Sequence, residues 1–320
     1  MAVNVEQAGS ETRAVVEVPD RVWRRALASG RVRVGGAILL GIVLVCVATL
    51  PLTIGRTSLY FDNQNAELVR QGPQWGGAAL WLGTDGLGRS LLGRLLLGGT
   101  ISLAVGLAAA VISVVLGLAV GLVAGYRGGW IDSLLMRSVD VLYGLPYVLL
   151  IILFKIALEG PMVRLSGSAD LTSLLVLFLA IGLVSWLTMA RVIRGQVLSL
   201  RAQPFIEAAR AMGLGEGRIF FRHLLPNLIG PIIVYSTLIV PQAILQESFL
   251  SFLGIGIKEP LPTWGALASE GLLPALNTVN SHWWLLLFPC LLLAITLLCL
   301  NFVGDGLRDV FDPKREAARI

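Results

Sequence analysis

QPFIEAARAMGLGEGRIFFRHLLPN (residues 203–227) is a charged island, with Glu207, Arg210, Glu216, Arg218 and Arg222 set between two long apolar runs. Pro204 suits the first turn of a helix, where its missing N–H costs nothing. Phe205, Ala208, Ala209 and Met212 recur at i, i+3, i+4 and i+7, which predicts one apolar stripe. Glu207 and Arg210 stand three apart on the polar side and can support each other. Gly213 is placed to end the helix in a left-handed cap. Gly215 and Gly217 relax the turn, and residues 219–225 restart a helix that runs into Pro226. The expected product is a short helix, a sharp turn and a second short helix. An amphipathic helix lying on a lipid surface explains the stripe and the arginines. It does not explain Glu, Gly and Leu-Pro at these spacings.

The rest of the chain sets this island in a membrane. Hydrophobic residues make up 56% and charged residues 14%, and the mean hydropathy is +0.80. Soluble domains carry about 25% charged residues, so water is not the only solvent of this chain. A span needs about 20 mainly apolar residues, and helices are the default because lipid satisfies no backbone polar group. Six spans are expected, at 34–54, 97–125, 139–158, 171–191, 228–250 and 284–304. The second is glycine-rich (Gly98, Gly99, Gly106, Gly117, Gly121, Gly125), a composition that lets neighbouring helices approach closely. Pro146 and Pro241 read as helix kinks. The first run follows more than thirty mostly polar residues with no convincing cleavage site, which reads as a retained span rather than a signal peptide.

Six spans put both termini on one side, and Lys and Arg near span ends favour the cytoplasm. With both ends inside, eighteen Lys or Arg fall in cytoplasmic segments and six in outer ones. Topology therefore explains the net charge of +5, and nucleic acid has no place in the account. Cys46, Cys290 and Cys299 lie inside apolar runs, without metal-ligand spacing or a disulfide framework, and read as buried, inert thiols. His223 and His282 belong to no nucleophile or metal set. A phosphate-cradling G-x-x-x-x-G-K-[ST] loop is missing too, so ATP is not bound by this sequence.

The island resembles the EAA loop of binding-protein-dependent ABC permeases. Glu207-Ala208-Ala209 is followed by Gly213 and, nine residues later, by His223, Leu224, Leu225 and Pro226. His-Leu-Leu-Pro-Asn is the form of the peptide branch. Further matches run along the chain: Gly83-Thr84-Asp85 with Gly88-Arg89, where Ser90 replaces the family's Asp; Gly125-Tyr126 with Gly128-Gly129-Trp130 and Asp132; Met136-Arg137 with Asp140. Residues 194–200, Glu247 with the segment 250–254, Pro262-Thr263-Trp264-Gly265 and the tail from Asn301 to Pro313 match as well. The outer insertion at 58–77 matches nothing. Together these segments resemble a dipeptide/oligopeptide permease of the C type.

The resemblance implies an all-α integral membrane protein with the type I ABC importer permease fold. Residues 1–33 would be a cytoplasmic tail, 34–54 the first helix and 55–96 an extracytoplasmic segment. Residues 97–304 would form a five-helix core containing the coupling loop 203–227, and 305–320 a second cytoplasmic tail. It implies that Glu207, Ala208, Ala209, Gly213, His223, Leu225 and Pro226 dock into an ATPase subunit. The implied partners are a B-type permease, ATP-binding-cassette ATPases that use ATP and Mg, an extracytoplasmic solute-binding protein and membrane lipid, in a prokaryotic cell membrane. A nickel or other small-solute permease shares these motifs, and a secondary transporter is a more remote alternative, since no inverted repeat is visible. Intramembrane charges are costly and usually functional. Lys155 and Glu247 therefore either line the path and neutralise peptide termini, or serve structure by pairing, helix packing or snorkelling of Lys155 to the interface.

Overall fold

The computed structural model describes residues 28–311, apart from Arg56 and Ser168. Residues 1–27 and 312–320, which hold most of the two expected tails and seven of the counted cations, lie outside the described residues. The described residues form eleven α-helices: α1 Gly30–Ala48, α2 Leu50–Ile54, α3 Leu91–Arg127, α4 Gly129–Tyr143, α5 Tyr147–Ser166, α6 Ala169–Arg201, α7 Pro204–Ala211, α8 Glu216–Ile219, α9 Leu225–Phe252, α10 Trp264–Ala275 and α11 Trp284–Phe311. Among the described residues the only strand-like pairing is an isolated bridge between Thr84 and Ser90. Five helices are long and apolar enough to cross a bilayer, or six when the bent pair α4–α5 counts as one span.

The helices outrun the apolar segments that announced them. The α3 helix starts at Leu91, because the Ser90 hydroxyl oxygen accepts the Gly93 N–H at 3.4 Å and caps its first turn. It ends at Gly128, whose φ of 67° is left-handed. Its 37 residues reach about 55 Å, well beyond the hydrocarbon. The α6 helix similarly continues ten residues past the expected end at 191.

The expected third span at 139–158 is not one helix. The α4 and α5 segments meet at 99° across Gly144, Leu145 and Pro146. Pro146 has no N–H to donate and pushes Leu145 out of the helical region, so the chain breaks there instead of bending. Another departure is α10, twelve residues in a stretch that read as loop. Thr263 caps it by accepting the Ala266 N–H at 3.1 Å. At about 18 Å it is too short to cross.

The core is a seam of small residues on α3. A Cβ placed on Gly117 would lie 2.5 Å from the Met189 Cβ, and one on Gly121 would lie 2.6 Å from the Ala190 carbonyl oxygen. Gly125 meets Val197, and Gly106 meets Val240 and Ile244 of α9. Toward the start of α3, Gly98 abuts the Thr263 backbone, and Gly99 touches Trp264 and Cys46. Trp264 is fully buried and donates its indole N–H to the Leu95 carbonyl at 3.0 Å. Cys46 and Cys299 are buried as expected, but Cys290 is exposed.

Replacing Gly117 by Val should separate α3 from α6 and destabilise by about 1–3 kcal/mol, the usual range for overpacking. Gly41→Ala, in α1 with nothing within 4 Å of the new methyl, should leave stability unchanged or raise it by up to about 1 kcal/mol. Thermal unfolding midpoints in one detergent would check both, and equal midpoints for the two variants would refute the seam.

Candidate functional site

The 203–227 segment folds as a knob between α6 and α9. Gln203 enters in an extended conformation and Pro204 takes the first helical position of α7. At the other end the Gly213 N–H donates to the Arg210 carbonyl at 2.9 Å and the Leu214 N–H to the Ala209 carbonyl at 3.2 Å. Gly213 has φ 75°, the left-handed stop expected of it. Leu214 then folds back to pack with Ile206 and Ala209.

The buried face is not the expected stripe. Ile206, Ala209, Ile219 and Leu224 are buried, packed with Leu200, Tyr126 and Phe220. Of the four stripe residues only Ala209 points inward. Phe205 is exposed, Met212 is 74% exposed and Phe221 70%. The i, i+3, i+4 spacing cannot tell an inward face from an outward one when both are apolar. Glu207 and Ala208 also lie on the free side, and the His223 ring lies 6.4 Å from that of Phe205.

The restart after the turn also differs from expectation. After α8 the chain makes a π-turn over Phe220–Leu224, in which the Leu225 N–H reaches back to the Phe220 carbonyl. It then continues through Pro226 into α9 without a stop. Pro226 cannot donate an N–H and its ring crowds the carbonyl four residues earlier; the wider π-turn makes room for it.

The knob is braced from below. The Tyr126 hydroxyl donates to the Glu216 carbonyl at 3.3 Å, and its ring meets Phe220 edge-on at 6.0 Å. Arg201 donates to the Gly125 carbonyl at 2.8 Å and lies 5.7 Å over the Tyr126 ring. Beside it, Arg194 grips Asp132 through two hydrogen bonds of 2.6 Å, and Arg191 pairs with Asp140 at 2.7 Å. Motifs far apart in sequence thus fasten α3, α4 and α6 at one end of the bundle.

Lys155 and Glu247 sit toward the other end, and they do not pair. The Lys155 ammonium is buried and donates to the Ile255 carbonyl and, at 2.8 Å, to the Gly256 carbonyl. Glu247 is 0% exposed; its carboxylate accepts from the Ser251 hydroxyl at 2.7 Å and from Ser102 at 3.4 Å. Ser102 in turn accepts the Trp264 N–H at 3.2 Å. Both side chains therefore hold the loop between α9 and α10, one from α5 and one from within α9. Among the described residues no group of three His, Cys, Asp or Glu could hold a metal ion.

A charged cluster at the same end escaped the sequence reading. Asp85 accepts from Arg89 Nε and from Arg94 Nη1, each at 2.7 Å, and from the backbone N–H of Leu87 and Arg89, each at 2.9 Å. Arg94, fully buried, also reaches Glu270 of α10 at 2.6 Å and 3.2 Å. Burial opposes the charge on Asp85, but Arg94 and then the hydrogen bonds and charge of Arg89 outweigh it and hold the carboxyl below its ordinary value. Ser90, where the resemblance expects Asp, joins no ion pair; it caps α3 and donates to the Ala79 carbonyl at 2.8 Å. The cluster lines a cavity of about 380 Å³.

Residues 117–317 match the family described as binding-protein-dependent transport system inner membrane component. The oligopeptide transport system permease protein OppC of Escherichia coli (strain K12) is 44% identical over 291 residues, 91% of this chain and 90% of that protein. The dipeptide transport system permease protein DppC of Bacillus subtilis (strain 168) is 39% identical over 311 residues, covering 96% and 89%. A chain of the MetNI methionine ABC transporter, solved in an inward-facing conformation, superposes with a TM-score of 0.53 at 19% identity, over 69% of this chain and 97% of that one. It supports the type I importer permease fold.

The Asp85 cluster predicts a pH dependence. The folded pKa lies below the unfolded value of about 3.9, so the stabilisation is whole above that value and is lost as pH falls through the lowered one. The wild-type unfolding midpoint should fall as the pH drops below the unfolded value of about 3.9. Asp85→Asn leaves Arg94 short of a counter-charge and should cost about 3–5 kcal/mol at neutral pH, with a shallower acid limb. A variant whose acid limb superposes on the wild type would remove Asp85 from that role.

Proposed function

Since the chain belongs to the binding-protein-dependent transport system inner membrane components, we propose that it forms half of the membrane path of an ATP-driven importer of di- and oligopeptides. One observation carries the mechanism: an apolar, outward-facing knob held rigidly at one end of the bundle. Phe205, Met212 and Phe221 expose a surface that water disfavours, while Ile206, Ala209 and Leu224 fix its shape from beneath. Such a surface fits a groove on an ATPase subunit. Glu207, Ala208, Gly213, His223, Leu225 and Pro226 act as its contact or shaping residues. ATP with Mg is consumed by that subunit, because this sequence has no phosphate-cradling loop.

A B-type permease completes the path, and an extracytoplasmic binding protein delivers the peptide. Both termini, with the knob, face the cytoplasm. ATP closing the ATPases moves the knob, and the bracing through Tyr126 and Arg201 passes that movement to α3 and α6. Lys155 and Glu247 are fastenings of the outer loop rather than charges offered to the solute. Their burial and the protein partners each one holds support that reading. The peptide class is supported by the names of the relatives.

Gly213→Pro forbids the left-handed backbone and deletes the N–H bonded to Arg210. It should abolish uptake while the chain still inserts and still co-purifies with its partner permease. Gly213→Asn, which tolerates this conformation, should retain uptake. In the complex purified with its genomic neighbours, ATPase activity should rise on adding peptide-loaded binding protein. Normal uptake by Gly213→Pro would end the coupling role, and transport without ATP would overturn the importer itself.

A further inference from the structure

The end of the insertion at 58–77 that matched nothing runs on toward α3 through a stretch of specific composition. Residues 72–83 (GPQWGGAALWLG) carry no charge, and neither do residues 271–284 (GLLPALNTVNSHWW) apart from His282. Charges stop sharply at their edges, with Arg70 and Asp85 flanking the first loop and Glu270 preceding the second. Both loops meet on one side chain. The Trp284 indole N–H donates to the Thr84 carbonyl at 3.4 Å, and a Cβ on Gly72 or Gly83 would lie 3.6 Å or 2.8 Å from that ring. Trp283 contacts Trp284 edge-on at 6.0 Å.

Around this anchor the loops expose apolar rings to the outside. Trp75 is 94% exposed, Trp81 and Trp283 are about half exposed, and Leu276 and Val279 are uncovered as well. Trp284 also fixes their depth. The uncharged stretch of α11 from Trp284 to the residue before Asp305 is about 30 Å long, the thickness of the hydrocarbon. Asp305 therefore marks one edge of the hydrocarbon and Trp284 the other. The two loops lie at the level where Trp is enriched in membrane proteins.

We propose that residues 72–83 and 271–284 form an anchor in the outer-leaflet headgroup layer, with Trp75, Trp81 and Trp283 seated among phospholipids. Continuity with the outer end of α11 selects the bilayer as the occupant. The anchor fixes the height of the Asp85–Arg94–Glu270 cluster, which adjoins both loops, relative to the membrane surface. It goes beyond the transport reading and does not depend on the nature of the solute.

The test uses the complete transporter in nanodiscs of phosphatidylcholine, with acyl chains either plain or brominated near the headgroup. The fluorescence of Trp75 is the difference between wild type and Trp75→Phe, and that of Trp81 the difference from Trp81→Phe. Brominated lipid should reduce each difference at least twofold, aqueous acrylamide should quench it weakly, and added solute-binding protein should leave it unchanged. A Trp75 signal that ignores bromine and is freely quenched by acrylamide overturns the anchor. So does a signal that bromine ignores but bound solute-binding protein shields, which would make the surface a protein-docking site.

Discussion

Lipid solvates an apolar helix about as well as another helix does, so helices stay together here only where their backbones come close enough for dense packing and dipolar contact. The glycine seam of α3 supplies that closeness. It runs from Gly98, against Thr263, to Gly125, against Val197, and it touches α6, α9 and α10 on the way. Every other feature hangs from its two ends. Tyr126 and Gly125 brace the knob, while Arg94 and the Ser90 cap tie down the Asp85 cluster.

The apolar runs and the glycines were legible because each is a local property. Run length reports a span, and Gly213 reports a left-handed stop whatever surrounds it. The third span misled because apolar composition is the same on either side of a break; Gly144 and Pro146 set the 99° corner, and hydropathy does not register a corner. The short α10 escaped for a related reason, since its twelve residues fall between the spans expected to end at 250 and to start at 284 and are too few to register as a span. Ile206, not Phe205, faces inward on the knob, and periodicity alone had no means of choosing between two apolar faces.

Polar partners were the least legible part. Arg94 meets Glu270 across 176 residues, and Lys155 meets the Gly256 carbonyl across 101. Such pairs are defined only once the helices are stacked. A charge inside an apolar run invites a reading as a transport group. Lys155 instead donates to two carbonyls at the end of the bundle away from the knob, and Glu247 takes hydroxyl donors from α3 and α9. Lone charges in a span thus need their carbonyl and hydroxyl neighbours located before a role is assigned.

The π-turn at Phe220–Leu224 has a mechanical consequence. It lets Pro226 sit in an unbroken helical path, so Glu216–Phe252 forms one 37-residue pushrod of about 55 Å with no loop to absorb a stroke. Pro231 and Pro241 are the places along it where a backbone rung is missing. Under the proposed coupling role, a displacement applied at the knob would pass these two joints on its way to the loop that Lys155 and Glu247 hold.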